Sequence, residues 1–258
     1  MTALITGASS GIGLQYATLL AKEWKTDLVL VSNQEKELRE TADFLRDSFC
    51  VKVEALCIDL TGNDAAEKVY SFAAERSLEI DILINNAGVF FFDRFVDVAP
   101  SRLDGMMALH MMTPTRLCRL FGEDMCRKGH GYILNMSSVC AWMTFPGIQM
   151  YESTKNYLLT FSKGIRHEFR QNGVSVTVVT PGAVDTPLYG LPDKTRRRLV
   201  RYGISLPPEK LARKALKAMF AGKKSCMPGI VNHLILPLLG ILPDRLVEKI
   251  MKRLPMFR

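Results

Sequence analysis

The chain has 258 residues, of which 48% are hydrophobic and 23% are charged, and its formal net charge is +8. This composition excludes a disordered chain, and the length fits one large domain or two small ones. The positive charge permits an acidic substrate, an anionic membrane surface or nucleic acid as a partner. Since no recognition-helix or zinc-finger pattern is present, we expect no nucleic-acid partner.

The cysteines indicate a reducing compartment. All six fall within apolar stretches and none forms a C-x-x-C pair, so we expect free, buried thiols and no metal site. The N-terminus leads straight into an apolar strand without the pattern of a signal peptide, and no long stretch is uniformly apolar. The sequence therefore predicts a cytoplasmic protein without a spanning helix.

The predicted elements alternate between strand and helix along the chain. Short apolar runs predict strands, and apolar residues at helical spacing predict helices. The predicted strands are residues 2–6, 28–31, 51–58, 80–84, 132–136 and 174–179. The predicted helices are residues 11–24, 34–49 (with Leu38, Phe44 and Leu45 facing the core), 65–76, a long helical region over 101–128, and 151–170.

Strands joined by helical crossovers predict an α/β fold, a doubly wound parallel sheet of about seven strands with helices on both faces. With no repeat or linker, we take residues 1–258 as a single domain. Ligands of such sheets lie at the carboxyl ends of the strands. The polar and glycine-rich stretches all follow strand ends: residues 7–13, Ser32 and Asn33, Asp59, residues 85–88, Ser138, and Pro181 with Gly182.

The turn after the first strand reads TGASSGIG over residues 6–13. Its glycines allow a close approach of backbone to ligand, and the exposed amides at the start of the following helix favour a pyrophosphate. The spacing is G-x-x-x-G-x-G rather than G-x-G-x-x-G, and a tight turn without a ligand is the alternative. Between a strand and a helix, the motif predicts a dinucleotide site.

Tyr151 and Lys155 are four residues apart, so they share one face of a helix. A lysine ammonium beside a phenol favours the phenolate, which makes the tyrosine a useful proton donor and acceptor near neutral pH. Ser138 precedes them closely enough to bind the oxygen that gains or loses this proton. The trio suits interconversion of a ketone and a secondary alcohol, although in isolation it could also be an exposed helix face.

Together these stretches resemble the short-chain dehydrogenase/reductase family in order and spacing over residues 2–187. The matching pieces are residues 6–13, Asp59, residues 85–88, Ser138, Tyr151-x-x-x-Lys155 and Pro181-Gly182-x-x-x-Thr186. From Leu188 onward the chain more loosely resembles a branch that includes steroid and long-chain 3-oxoacyl reductases. The resemblance implies a Rossmann-type, NAD(P)-binding oxidoreductase that forms a homodimer or homotetramer.

The resemblance also implies residue roles. Tyr151 would be the general acid/base, Lys155 would lower its pKa and hold the nicotinamide ribose, and Ser138 would bind the substrate oxygen. Asp59 would contact the adenine, with a helix N-terminal carboxylate as the alternative. The expected cofactor-binding residues are Gly7, Ser9, Ser10, Gly11, Ile12, Gly13, Ser32, Asn33, Asp59, Leu60, Asn86, Ala87, Gly88, Tyr151, Lys155, Pro181, Gly182, Val184 and Thr186.

One position departs from the family pattern. The family usually has an asparagine in the helix before the fifth strand, where it anchors a water in a proton relay from the lysine; His110 stands there in this chain. A histidine can hold a water and titrate near neutral pH, which would make His110 a catalytic residue and make His110→Asn shift the pH profile of an active enzyme. The alternative is a packed histidine.

The end of the second strand favours NADP(H), with NAD(H) possible. NAD-users generally place an acid there, and NADP-users an arginine or lysine. This chain has Ser32 and Asn33, which do not repel a 2′-phosphate and could bind it together with Lys36.

The substrate is expected to be a hydrophobic ketone of the steroid, bile-acid or fatty-acyl type. Phe90, Phe91, Phe92, Trp142, Met143 and Phe145 could wall an apolar pocket or be ordinary packing. Residues 187–224 would form a substrate lid and the helix after it, with arginines that could meet a carboxylate or phosphate.

The C-terminal extension, residues 229–258, alternates apolar runs with prolines and basic residues. Leu246, Ile250 and Leu254 share a helical face that would pack on the domain or a second subunit, or lie on a membrane surface, so peripheral membrane contact is possible. Two other function classes remain. A nucleotide-sugar epimerase or dehydratase is disfavoured by the glycine spacing, and the other is a non-catalytic nucleotide-binding sensor or scaffold.

Overall fold

A seven-stranded parallel sheet forms the centre of the computed structural model, which describes residues 1–190, 192–203, 205–229, 245, 246 and 249. The strands are β1 (Thr2–Thr6), β2 (Asp27–Ser32), β3 (Val53–Cys57), β4 (Ile82–Asn85), β5 (Gly131–Met136), β6 (Val174–Val179) and β7 (Ser225–Cys226). Their order in the sheet is β3-β2-β1-β4-β5-β6-β7. The order reverses between β1 and β4, which places a ligand crevice at the carboxyl ends of these two strands.

The helices are α1 (Gly11–Trp24), α2 (Glu35–Phe49), α3 (Ala65–Glu75), α4 (Pro100–Met107), α5 (Thr113–Lys128), α6 (Gln149–Arg170), α7 (Asp193–Arg201) and α8 (Pro208–Phe220). The predicted doubly wound α/β fold of about seven strands is therefore confirmed. The short β7 had no counterpart among the predicted strands.

The helical region predicted over residues 101–128 is interrupted. A π-helical segment, Ala108–Met112, separates α4 from α5 and contains His110. Pro114 follows it at the start of α5. Proline has no N–H to donate to the carbonyl four residues earlier, so the regular α-helical pattern cannot run through this point.

Strands β1 to β6 contribute side chains to two apolar clusters on opposite faces of the sheet. On β1, Ile5 packs into one cluster with α1 and α8, whereas Leu4 packs into the other with α3 and α5. Both side chains are fully buried, as expected when helices cover both faces of a parallel sheet. This double burial accounts for the nearly continuous apolar sequence of the central strands.

Two predictions about the core were wrong in part. Phe44 is 51% exposed, because the buried stripe of α2 consists of Leu38, Thr41, Ala42 and Leu45, and Phe44 lies beside it. The six thiols are free, but only Cys118 is buried. Cys50 follows α2 and Cys57 ends the edge strand β3, where both are exposed.

The predicted lid region contains a short turn, Pro187–Tyr189, followed by α7 and α8. Helix α7 has no buried residue, while α8 buries Leu211, Leu216 and Met219 in the core. Ile250, Leu254 and most of the predicted C-terminal extension lie outside the described residues. In the part of the chain that is described, no helix combines the length and apolarity needed to cross a membrane.

Candidate active site

A cleft of about 520 Å³ opens at the carboxyl ends of the central strands. Eighteen predicted residues line it: Gly7, Ser9, Ser10, Gly11, Ile12, Ser32, Asn33, Asp59, Leu60, Asn86, Ala87, Gly88, Ser138, Tyr151, Lys155, Pro181, Val184 and Thr186. Gly13, Gly182 and His110 do not line this cleft.

The glycine turn forms the floor of the cleft beside the start of α1. Gly7 and Gly11 have φ angles of +65° and +55°, in the left-handed region that favours glycine. A Cβ on Gly13 would lie 2.0 Å from the carbonyl oxygen of Gly7, so no side chain fits there. The turn thus brings the backbone amides at the start of α1 to the cleft, where they suit an anion such as a pyrophosphate.

Asn86 holds this turn in place. Its Nδ2 atom donates to the carbonyl oxygens of Thr6 and Gly7 at 3.0 and 3.2 Å. The Thr6 hydroxyl oxygen in turn accepts from the backbone amides of Asn86 and Ala87, both at 3.0 Å. The ends of β1 and β4 are therefore tied together at the point where the sheet order reverses.

Asp59 is exposed at the adjacent rim of the cleft. Its Oδ1 atom accepts from the backbone amide and the hydroxyl of Thr61, both at 2.9 Å. Helix α3 begins at Ala65 after the N-cap Asp64, so Asp59 stabilises a local turn and is not the N-terminal carboxylate of that helix.

The end of β2 contains a small network of side-chain hydrogen bonds. Ser9 Oγ lies 2.9 Å from Ser32 Oγ and donates to Gln34 Oε1 at 2.7 Å, while Ser32 Oγ also accepts from the Gln34 amide at 3.2 Å. Ser32 is buried and engaged in this network, whereas Asn33 is exposed in the cleft. Lys36, which was expected to assist, does not line the cleft.

Ser138, Tyr151 and Lys155 meet in the cleft, each with a relative exposure of 5%. Lys155 Nζ lies 5.6 Å from the centre of the Tyr151 ring and donates to the carbonyl oxygen of Met136 at 3.0 Å. Burial lowers the pKa of Lys155 to about 8. Ser138 Oγ accepts from the Cys140 amide at 3.1 Å, which leaves its hydroxyl proton for another acceptor.

His110 is 1% exposed behind this group. Its Nε2 atom accepts from the Val89 amide at 3.0 Å, and its Nδ1 atom lies 2.9 Å from Thr154 Oγ1, which donates to the carbonyl oxygen of Tyr151 at 2.9 Å. Burial, together with the charge of Lys155, lowers the pKa of His110 well below its usual value. Both ring nitrogens thus have protein partners, which matches the alternative of a packed histidine.

Of the two interpretations of the aromatic residues, a pocket wall or ordinary packing, the four phenylalanines show packing. Phe90, Phe91, Phe92 and Phe145 form a cluster with Met106, Ile148 and Tyr151. None of these four phenylalanines lines the cleft. Trp142 is 41% exposed, with Lys163 Nζ 5.8 Å from its ring centre.

The apolar lining of the cleft consists largely of residues that the motifs did not single out. They are Ile58, Val89, Leu109, Met136, Pro187 and Leu188. Ile58, Val89 and Pro187 are direct neighbours of a motif residue, and this adjacency is the signal that could have identified them. Among the lid arginines, Arg196 pairs with Asp185 and Asp193, whereas Arg197, Arg198 and Arg201 lie on the exposed face of α7.

The comparisons with known proteins agree with this geometry. The family model described as short chain dehydrogenase matches residues 1–196. The chain is 29% identical over 255 residues to the very-long-chain 3-oxoacyl-CoA reductase-B of Danio rerio, covering 96% of this chain and 78% of the relative.

Two solved structures extend the similarity to nearly the whole chain. A short-chain dehydrogenase from Sphingobium yanoikuyae, in complex with NADPH, has a TM-score of 0.80 and 30% identity over 98% of this chain and 95% of its own. The alcohol dehydrogenase from Comamonas testosteroni, described as specific for bulky-bulky ketones, has a TM-score of 0.78 and 28% identity over 98% and 94%. The chain therefore belongs to the short-chain dehydrogenase family of NAD(P)-dependent oxidoreductases.

Proposed function

We propose that this oxidoreductase uses NADP(H) to interconvert a bulky, hydrophobic ketone and its secondary alcohol. The observation that carries the proposal is that Ser138, Tyr151 and Lys155 line the same cleft as the glycine turn. A non-catalytic sensor or scaffold would need the turn but not this trio.

The cleft suits a dinucleotide. The amides beside Gly7 and Gly11 would hold the diphosphate, and the lack of room for a side chain at Gly13 keeps the turn close to α1. The rim at Asp59 and Leu60 would hold the adenine. The residues that would hold the nicotinamide half are Asn86, Ala87, Gly88, Tyr151, Lys155, Pro181, Val184 and Thr186.

The chemistry follows from the positions of three side chains. Bound NADPH supplies the hydride that reduces the carbonyl carbon. The Tyr151 hydroxyl donates a proton to the carbonyl oxygen, and the Lys155 ammonium stabilises the negative charge left on the phenol oxygen. The Ser138 hydroxyl donates a hydrogen bond to the same substrate oxygen and holds it beside Tyr151. In the direction of oxidation, Tyr151 accepts the proton.

Two features support the choice of cofactor and substrate. The end of β2 presents Asn33 and no acid, so a 2′-phosphate meets no like charge, and the Sphingobium relative is described as an NADPH complex. The lining of the cleft includes the apolar Val89, Leu109, Met136 and Leu188. The Danio and Comamonas relatives are named for acyl and bulky ketone substrates, respectively.

The test is reduction of a panel of steroid, bile-acid, acyl and aryl ketones, followed by NADPH or NADH absorbance. We expect turnover with NADPH, and we expect Tyr151→Phe to lower kcat by about 10²- to 10⁴-fold while the variant still binds NADPH. Tight NADPH binding without turnover of any ketone would instead favour a sensor or scaffold. Turnover that survives in Tyr151→Phe would remove this residue from the chemistry.

A further inference from the structure

Loop 139–148 connects Ser138 to α6 and passes beside Tyr151. Two α6 side chains, Glu152 and Asn156, hold it. Glu152 Oε2 accepts from the Phe145 amide at 2.9 Å, and Asn156 Nδ2 donates to the carbonyl oxygen of Ala141 at 2.7 Å. Because the two residues are four apart, they lie on one face of the helix and contact the loop at two separate points.

Glu152 is unusual for a residue with no place in the proton-transfer chemistry. It is 8% exposed, and no cation pairs with it among the described residues. Burial raises its pKa to about 7, while the hydrogen bond from Phe145 acts in the opposite direction. Burying a carboxylate with so little compensation is unfavourable. We therefore take the hydrogen bond to the loop as the role of Glu152 in the structure.

The loop contributes Phe145 to the aromatic cluster. The Phe145 ring stacks on Phe92, with centroids 6.4 Å apart and an interplanar angle of 23°. The carbonyl oxygen of Gly147 accepts from the Asp93 amide at 3.1 Å. These contacts join the loop to the segment after β4, in which Phe90 meets the Tyr151 ring edge-on at 5.0 Å. The loop therefore supports the aromatic cluster that packs against the Tyr151 ring, next to the cleft.

The other end of the loop reaches the serine. The Cys140 amide donates to Ser138 Oγ, so the first residues of the loop orient the hydroxyl that would bind the substrate oxygen in the proposed reaction. A displacement of the loop would change both the direction of this hydroxyl and the packing of Phe145.

We propose that Glu152 and Asn156 are positioning residues that fix loop 139–148 and thereby limit the bulk of the ketone that reaches Tyr151. The selectivity part of this proposal rests on the proposed ketone reductase function. Without the Glu152 acceptor, the Phe145 amide loses its partner, the Phe92–Phe145 stack loosens, and the cluster beside Tyr151 can yield to larger substituents.

The kinetic test compares benzophenone and acetophenone at saturating NADPH. For Glu152→Ala we expect the ratio of kcat/KM for benzophenone over acetophenone to rise about tenfold, mainly through KM. Glu152→Gln keeps an acceptor oxygen, so it should retain nearly the wild-type ratio. Asn156→Ala, at an exposed position, should shift the ratio in the same direction but less. Glu168→Ala, on the exposed face of the same helix, is the matched control.

An unchanged ratio in both alanine variants at 152 and 156 would overturn the proposal. If Glu152→Ala does not fold, the test is the ratio of kcat/KM values in Asn156→Ala compared with Glu152→Gln. Asn156 is exposed and contributes one contact to the loop, so its replacement should leave the protein folded.

A second measurement does not depend on turnover. We expect amide hydrogen exchange in loop 139–148 to become at least about tenfold faster in Glu152→Ala and to remain unchanged in Glu168→Ala. Equal exchange in Glu152→Ala and the wild type would overturn the proposal even if the enzyme is active. Faster exchange in a protein that reduces no ketone would instead refute the proposed function and leave the positioning role in place.

Discussion

His110 Nε2 accepts a hydrogen bond from the backbone N–H of Val89 at 3.0 Å, so this ring nitrogen carries no proton. In the neutral ring the proton is therefore on Nδ1, which faces the Thr154 hydroxyl. An imidazolium would direct a second donor at the Val89 amide and lose this bond. The histidine thus links the segment after β4 to α6 as an uncharged residue.

We expect His110→Asn to leave the pH profile of kcat/KM unchanged between about pH 6 and pH 9, because a buried histidine of lowered pKa does not titrate in this range. The shorter side chain cannot reach both partners, so the melting temperature should fall. This outcome differs from the profile shift that the sequence suggested. A displaced profile in the variant would restore His110 to the proton relay.

Asn33→Asp should shift the cofactor preference toward NADH. An added carboxylate at this exposed position of the cleft repels a 2′-phosphate and can accept from ribose hydroxyls. We expect the ratio of kcat/KM with NADPH over NADH to fall at least about tenfold. Asn33→Gln, which adds no charge, is the control. An NADPH preference that persists in the aspartate variant would mean that the phosphate lies elsewhere.

Gly13→Ala should impair cofactor binding and stability together. The new methyl group would lie 2.0 Å from the Gly7 carbonyl oxygen, so the turn and α1 must move apart. We expect at least about a tenfold weaker NADPH affinity by fluorescence titration and a lower melting temperature. Gly164→Ala, in α6 with open space around the added Cβ, is a suitable control. Normal NADPH affinity in Gly13→Ala would contradict the tight-turn interpretation.

Glu152→Gln should change the pH dependence of stability. A carboxyl whose pKa is raised from 4.5 to about 7 in the folded protein favours folding below pH 4.5, and this contribution is lost as the pH rises through about 7. Relative to the wild type, the variant should therefore gain unfolding free energy between about pH 5 and pH 8, by about 1–3 kcal/mol. Urea unfolding at both pH values measures this change.

Glu168→Gln is the control for that experiment, because it removes an exposed carboxylate from the same helix, whereas the carboxylate of Glu152 is buried. A stability difference for Glu152→Gln that is the same at both pH values would show that its carboxylate is ionised as easily as in the unfolded chain.

Local patterns predicted the sheet and its carboxyl edge because each strand is an apolar run and each motif follows one. Tyr151 and Lys155 share a helix face by spacing alone, and the close contact of Gly13 is with Gly7, six residues earlier in the same turn. Such features depend on short-range geometry, which a single sequence contains.

The features that the sequence left open depend on contacts between distant segments. The burial of Ser32 depends on Ser9, and the packing of Phe92 depends on Phe145 from another loop. Glu152 stands next to Tyr151 in the sequence, yet only the path of loop 139–148 shows that its carboxylate is buried under a backbone amide. Pro114 could have indicated the interruption before α5, because it cannot continue the helical hydrogen-bond pattern.

Helix α6 carries Tyr151 and Lys155 toward the cleft and Glu152 and Asn156 toward the loop. The reacting groups and the boundary of the substrate space are thus attached to one rigid element by different faces. Loop grafting and directed evolution can therefore vary residues 139–148 while the spacing of the phenol and the ammonium stays fixed, which makes this segment the part of the scaffold best suited to the engineering of new substrate ranges.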